Sequence, residues 1–258
     1  MATWTLHQRR VIDEGLKGSP RAGTTKRRRR ASMTAPAIVA SVLGADYSRL
    51  AAEVLDLQAA GVDRIQWDVM DGRFVPNLTF GAAVVGACRP YVDLPFEAHL
   101  MVEDPDLVLA DFVSAGCGTV IVHVETCQHL HRTLSNIRDL GARAGVAVNP
   151  STSLDFAPYV LDQLDQILIM TVNPGFGGQE YIGAMEDKVS EARELADRSE
   201  RPIQIEVDGG ISASTAAASH RAGAELLVVG SALLNHPSGK RAAAEELREV
   251  LAQATSLT

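Results

Sequence analysis

QILIMTVNPGFGGQEYIGAMEDKVSEARELADRSERPIQIEV, residues 166–207, reads as a single strand–helix–strand unit. The run QILIMT (166–171) is short, apolar and rich in β-branched residues, and a glycine-rich turn bounds it. EDKVSEARELADR (186–198) repeats its apolar positions at helical spacing, and PIQIEV (202–207) forms a second buried strand. A helix-length segment between two buried strands implies a crossover, which makes the strands parallel neighbours.

The pattern continues outward from this unit. Upstream lie AIVASV (37–42), RIQWDV (64–69), FEAHLM (96–101), TVIVHV (119–124) and GVAVN (145–149); downstream lies LLVVG (226–230). Amphipathic stretches such as YSRLAAEVLDLQAAG (47–61) separate them, and several end at a glycine suited to a helix C-terminus: Gly61, Gly116, Gly141 and Gly223. Eight strands, each followed by a helical or loop-plus-helix segment, predict an α/β fold: a single (β/α)8 TIM barrel over residues 35–258. A doubly wound open sheet is the alternative. It usually has fewer strands and a GxGxxG turn after the first, where this chain reads GADYS (44–48).

Composition narrows the functional classes. The chain has 258 residues, 46% apolar and 22% charged, which suits a globular domain. No apolar run reaches the length of a membrane span. Three cysteines without a CxxC pattern fit a reducing, cytoplasmic setting. Residues 1–34 carry a net charge of +7, concentrated in KRRRR (26–30), whereas the other 224 residues carry −15. The basic segment reads as a disordered, solvated tail; an RNA-binding or nuclear-address element, or a transit peptide, are the alternatives, and Met33 is a further candidate start, because ordered patterning begins just after it. An acidic body disfavours nucleic acid as a partner, so any anionic ligand must be held by backbone N–H groups or a metal.

In such barrels the chemistry sits at the C-terminal ends of the strands. Those ends carry Ser41, Asp68, His99, His123 with Glu125, Asn149, Asn173, Asp208 and Gly230, and the strand N-termini offer no comparable set. Asp68 and Asp208, on strands two and seven, are expected to face each other across the mouth. Such a pair can remove a proton α to a carbonyl and return one to the opposite face; either aspartate alone would be read as a helix cap. With His99 they form an N/O set suited to a divalent transition metal. NPGFGGQ (173–179), DGG (208–210) and GSA (230–232) are three glycine-rich loops able to cradle a phosphate, without a Lys or Arg among them. Met70, Met101 and Met170 lie at strand ends, where they are either core filling or an apolar cap over a reactive intermediate.

WDVMDGRFVPNLTFG (67–81), AHLMVEDP (98–105), VHVETCQHLHRTL (122–134), IMTVNPGFGGQ (169–179), EVDGGI (206–211) and VGSAL (229–233) resemble the ribulose-phosphate 3-epimerase family, from about Ile38 to the C-terminus. The resemblance implies interconversion of D-ribulose 5-phosphate and D-xylulose 5-phosphate by proton transfer at C3 through an enediolate. It implies Asp68 and Asp208 as the acid/base pair, and one divalent ion (Zn²⁺, Fe²⁺, Mn²⁺ or Co²⁺) on Asp68, His99 and Asp208. It places substrate on Ser41, His99, Met70, Met101 and Met170. Phosphate would lie on Gly175, Phe176, Gly177, Gly178, Gly209, Gly210, Gly230 and Ser231. The partner is a small sugar phosphate, and family members assemble as dimers or hexamers. The chain departs from the family at Gln66, where the pattern His-x-Asp supplies a fourth metal ligand, and less sharply at Ala40 and Gly44. Alternation keeps Gln66 on the face of Asp68, so its amide oxygen becomes the expected fourth ligand, weaker than imidazole for Zn²⁺ or Fe²⁺. Gln66 also leaves open two other readings: an epimerase of a related ketose phosphate, and a metal-free phosphosugar-binding pseudoenzyme.

Overall fold

The structure, a computed structural model, describes residues 36–256. The expectations for the basic segment 1–34 and for Met33 lie outside those residues. Eight strands run β1 Ala37–Ser41, β2 Arg64–Met70, β3 Phe96–Met101, β4 Cys117–His123, β5 Arg143–Val148, β6 Gln166–Met170, β7 Gln204–Asp208 and β8 Leu226–Val229. Each pairs in parallel with its sequence neighbours, and β8 pairs with β1, so the sheet closes into a barrel in strict chain order. The helices are α1 Leu50–Ala60, α2 Ala82–Cys88, α3 Leu109–Ser114, α4 Leu130–Asp139, α5 Met185–Arg198, α6 Ala216–Ala222, α7 Ser231–Leu234 and α8 Gly239–Thr255. None of the described helices is long and apolar enough to cross a membrane.

Side-chain alternation divides each strand between two environments. Outward residues such as Ile38, Ile65, Trp67, Leu100, Val122, Val146, Ile169 and Val207 pack with Val54, Leu57, Val85, Leu134, Ile137, Val189 and Leu247 of the helices in one continuous buried cluster. Helix ends follow the glycines: Gly61 (φ +89°) closes α1 with its N–H on the Gln58 and Leu57 carbonyls, a left-handed backbone that other residues resist. Gly116, Gly141 and Gly223 also have positive φ after α3, α4 and α6.

Two sequence expectations are corrected. The segment after β5 contains no α-helix among the described residues, only a 3₁₀ turn at Ala157–Tyr159. Pro150, Ser151, Thr152, Ser153 and Pro158 favour turns over a continuous helix. The N-terminal end of the barrel also holds a polar layer of its own. Arg64 Nη1 donates to Glu97 Oε2 at 2.6 Å and to Gln166 Oε1 at 3.0 Å, and Gln166 Nε2 donates to Glu206. Glu97, Gln166 and Glu206 have no exposed surface. Burial raises the Glu206 carboxyl well above the usual range, and the negative charge of Glu97 adds to this.

Candidate active site

Register brings the strand-end residues together. On the β2–β3 ladder Asp68 pairs with His99 and Met70 with Met101; on the β6–β7 ladder Met170 pairs with Asp208. Ring closure then carries β7 round to β2 through β8 and β1, which brings the two aspartates to one cluster. His99 Nδ1 lies 3.0 Å from Asp68 Oδ1 and 3.5 Å from Asp208 Oδ2. Gln66 shares the inward face of Asp68, as alternation requires, and its Nε2 donates to Asp68 Oδ1 at 2.8 Å and to Asp208 Oδ2 at 2.7 Å. Two facing acceptors draw the NH₂ end of the amide, so Gln66 turns its nitrogen toward the aspartates where an oxygen was expected. Gln66 Oε1 is buried without a hydrogen-bond partner, and half a turn of the amide would present it to the same point. Ser41 Oγ donates to Asp68 Oδ2 at 2.5 Å and accepts from Leu43 N–H. Thr79 Oγ1 donates to the Asp68 carbonyl and accepts from Met70 N–H, fastening the end of β2.

Charge in this cluster is strongly coupled to burial. Burial would lower the pKa of His99, but its hydrogen bonds to Asp208 and Asp68 and their negative charges outweigh that and raise it to about 9. The Asp208 carboxyl is raised by burial and by the charge of Asp68, against the hydrogen bonds of His99 and Gln66. Beyond His99 the cluster continues: His99 Nε2 faces His123 Nε2 at 2.9 Å, and His123 Nδ1 faces Glu125 Oε2 at 3.1 Å. Burial holds His123 down to about 4. Glu125 falls to about 2: burial acts the other way, but hydrogen bonds from His123, Thr152 and the Asn149 backbone prevail.

Asp68 and Asp208 lie on the floor of a cavity of about 610 Å³. Its lining includes every residue proposed for substrate or phosphate except His99, which is wholly buried behind the aspartates. Met70 and Met101 pack with Val75, and Met170 packs with Ile121, Ala147, Leu168 and Val172, so the three methionines are both core and cavity wall. Gly175 to Gly178, Gly209, Gly210, Gly230 and Ser231 line the cavity from the β6, β7 and β8 ends. At Gly210 (φ +65°) a Cβ would lie 2.7 Å from the Tyr181 backbone nitrogen, so the loop backbone reaches the cavity only because this residue lacks one. No Lys or Arg is among the described lining residues. Asn77 Nδ2 donates to the Gly175 carbonyl and ties the β2 loop to the β6 loop.

The model of the "Ribulose-phosphate 3 epimerase family" matches residues 37–234. The chain belongs to the ribulose-phosphate 3-epimerase family. Ribulose-phosphate 3-epimerase of Bacillus subtilis (strain 168) is 45% identical over 209 residues, covering 81% of this chain and 96% of that protein. The Escherichia coli (strain K12) protein of the same name is 42% identical over 217 residues, covering 84% and 96%. The crystal structure of 3-keto-L-gulonate-6-phosphate decarboxylase from Vibrio cholerae superposes with a TM-score of 0.63 at 13% identity, covering 85% of this chain and 99% of that one, a likeness of fold alone. Family membership makes the chain an isomerase, an epimerase acting on carbohydrates.

The family's metal requirement can be tested on the donor set. Asp68, His99 and Asp208 each offer one donor atom, all within 4.8 Å of one another. Donors bound to an ion at about 2.0–2.2 Å lie about 3–4 Å apart, so modest side-chain movement suffices. The orphaned Gln66 Oε1 adds a fourth donor atom, and the residues fit the ion. Sequence reasoning placed His123 and Glu125 at a strand end without a role, and passed over Asn77 and Thr79. The quoted VHVETC and VPNLTF stretches carried all four. Inward parity marks His123, but the loops that meet Asn77 and Glu125 come from other strands.

Proposed function

We propose that this chain acts in the cytoplasm as an epimerase that inverts C3 of a ketopentose phosphate, interconverting D-ribulose 5-phosphate and D-xylulose 5-phosphate. The observation that carries this reading is the meeting of Asp68 and Asp208, from opposite stretches of the ring, around one buried amide and imidazole. One carboxylate takes the C3 proton, the enediolate forms, and the other carboxylic acid delivers a proton to the opposite face. One divalent ion held by Asp68, His99, Asp208 and Gln66 Oε1 would stabilise negative charge developing on the substrate oxygens. Ser41 orients Asp68 and presents its hydroxyl to substrate beside the reacting carbon. Met70, Met101 and Met170 keep water from the enediolate. The backbone N–H groups of Gly175 to Gly178, Gly209, Gly210, Gly230 and Ser231 hold the phosphate, which suits a lining without cationic side chains.

Conversion of D-ribulose 5-phosphate in D₂O, followed by NMR with metal content measured on the same sample, tests the reading. Product carrying deuterium at C3 is expected; product that keeps its original proton there would sink the two-base mechanism. Gln66→His should tighten Zn²⁺ binding by about tenfold or more, because an imidazole nitrogen replaces a neutral amide oxygen. Chelator competition reads it, and an unchanged dissociation constant would remove residue 66 from the ligand set.

A further inference from the structure

The row Asp68–His99–His123–Glu125 has a direction set by its last member. Glu125 Oε1 accepts from the Asn149 N–H at 2.8 Å and the Thr152 hydroxyl at 2.5 Å, which aims Oε2 at His123 Nδ1. A carboxylate only accepts hydrogen bonds, so the proton of His123 sits on Nδ1. The lone pair of His123 is then on Nε2, 2.9 Å from His99 Nε2, and two lone pairs cannot face each other at that distance. His99 must therefore donate from Nε2. The ring centroids are 5.1 Å apart with planes at 23°, so the two imidazoles lie nearly coplanar and end to end, the arrangement an N–H···N bond needs. The opposite assignment leaves two lone pairs 3.1 Å apart at Glu125 and turns a His123 Nε2–H toward His99 Nε2, so that His99 could donate only from Nδ1, between the aspartates.

We propose that Glu125, acting through His123, fixes a proton on His99 Nε2 and thereby reserves His99 Nδ1 for the aspartate pair and the ion bound between them. Three successive strands supply the device: His99 lies two residues before the end of β3, His123 ends β4 with Glu125 in the 3₁₀ turn behind it, and Asn149 and Thr152 follow β5. Thr126 Oγ1 donates to the His123 carbonyl and pins that turn, and the ring of Phe74 lies against His123 with centroids 4.7 Å apart. Neither His123 nor Glu125 lines the sugar cavity. They are positioning residues: outer hydrogen bonds of this kind set the tautomer and orientation of a ligating histidine, and their loss costs metal affinity about 10–100-fold. The inference rests on the reading of Asp68, His99 and Asp208 as a metal-binding centre, but the proton on His123 can be observed without metal or turnover.

The test uses the full chain with ¹⁵N-labelled histidine rings, whose two-bond ¹⁵N–¹H couplings show which nitrogen carries the proton, together with Zn²⁺ affinity by chelator competition. The wild type is expected to carry the His123 proton on Nδ1 in the metal-free protein, and the His99 proton on Nε2 once Zn²⁺ is bound. Glu125→Ala should mix the His123 tautomers and weaken Zn²⁺ binding by about tenfold or more, with KM for the sugar phosphate unchanged and kcat restored by added Zn²⁺. Thr152→Val, which removes one donor from Glu125 and leaves the row intact, should shift both readouts in the same direction by less. A wild-type His123 proton on Nε2, or a Glu125→Ala Zn²⁺ dissociation constant within about twofold of wild type, would overturn the inference. A wild type that binds no Zn²⁺ but keeps its proton on His123 Nδ1 would overturn the metal-centre reading, and with it the role of Nδ1 toward an ion.

Discussion

Asp208→Asn is expected to slow epimerisation by about a thousandfold or more, the scale on which a positioned acid or base contributes. The substitution keeps the shape of the side chain, and an amide oxygen can still accept from Gln66 Nε2, which now reaches Asp208 at 2.7 Å. What is lost is the capacity to take or give a proton. Asp68 stays in place with donors from Ser41 and Gln66, so half of the reaction should survive. Of the two epimers, the one whose C3 proton faces Asp68 should still exchange that proton with D₂O while its configuration is retained; the other should exchange far more slowly. NMR of each sugar phosphate, incubated separately in D₂O with the variant, reads both outcomes. Epimerisation within about tenfold of wild type would mean that Asp208 is not one of the two bases.

The parts of this molecule legible in its sequence were those governed by short periods. Eight apolar runs and their spacing led to the barrel, and every strand was found within a few residues of its expected place. Strand-end position was enough to single out Ser41, Asp68, His99 and Asp208, because parallel strands in a closed ring deliver their C-terminal ends to one rim. Features that depend on which non-neighbouring side chains meet were not legible. Arg64, Glu97, Gln166 and Glu206 each look like an isolated polar residue in an apolar strand; only register across β2, β3, β6 and β7 turns them into a layer. Alternation placed Gln66 on the inward face, but which end of its amide meets the aspartates depends on both carboxylates at once. Glu125 acquires meaning only when Asn149 and Thr152 arrive from the next strand.

That inner layer supports the prediction with the largest effect on stability. Arg64→Met should destabilise the barrel by about 3–5 kcal/mol, because removing one partner of a buried ion pair leaves the other charge uncompensated. The partner is Glu97, which has no exposed surface and one oxygen, Oε1, already without a hydrogen bond. Glu206 cannot share the load: its carboxyl is already pushed toward the neutral form by burial and by Glu97. Without Arg64, whose charge lowers the Glu206 carboxyl against burial and Glu97, that carboxyl rises further, so the folded variant binds more protons than its unfolded chain. Stability then falls as pH rises through and above the glutamate range, and the deficit of Arg64→Met should be smaller at about pH 5 than at about pH 8. Adding Glu97→Leu to Arg64→Met removes the stranded charge and should recover most of the loss, since an apolar replacement of a buried pair is often neutral. Urea unfolding of the two single variants and the double variant at both pH values measures the coupling directly. A single Arg64→Met loss below about 1 kcal/mol at neutral pH, the scale of an exposed ion pair, would show that Glu97 finds its charge balance elsewhere, with the Arg143 guanidinium, whose charge also interacts with Glu97 and Glu206, as the group to remove next.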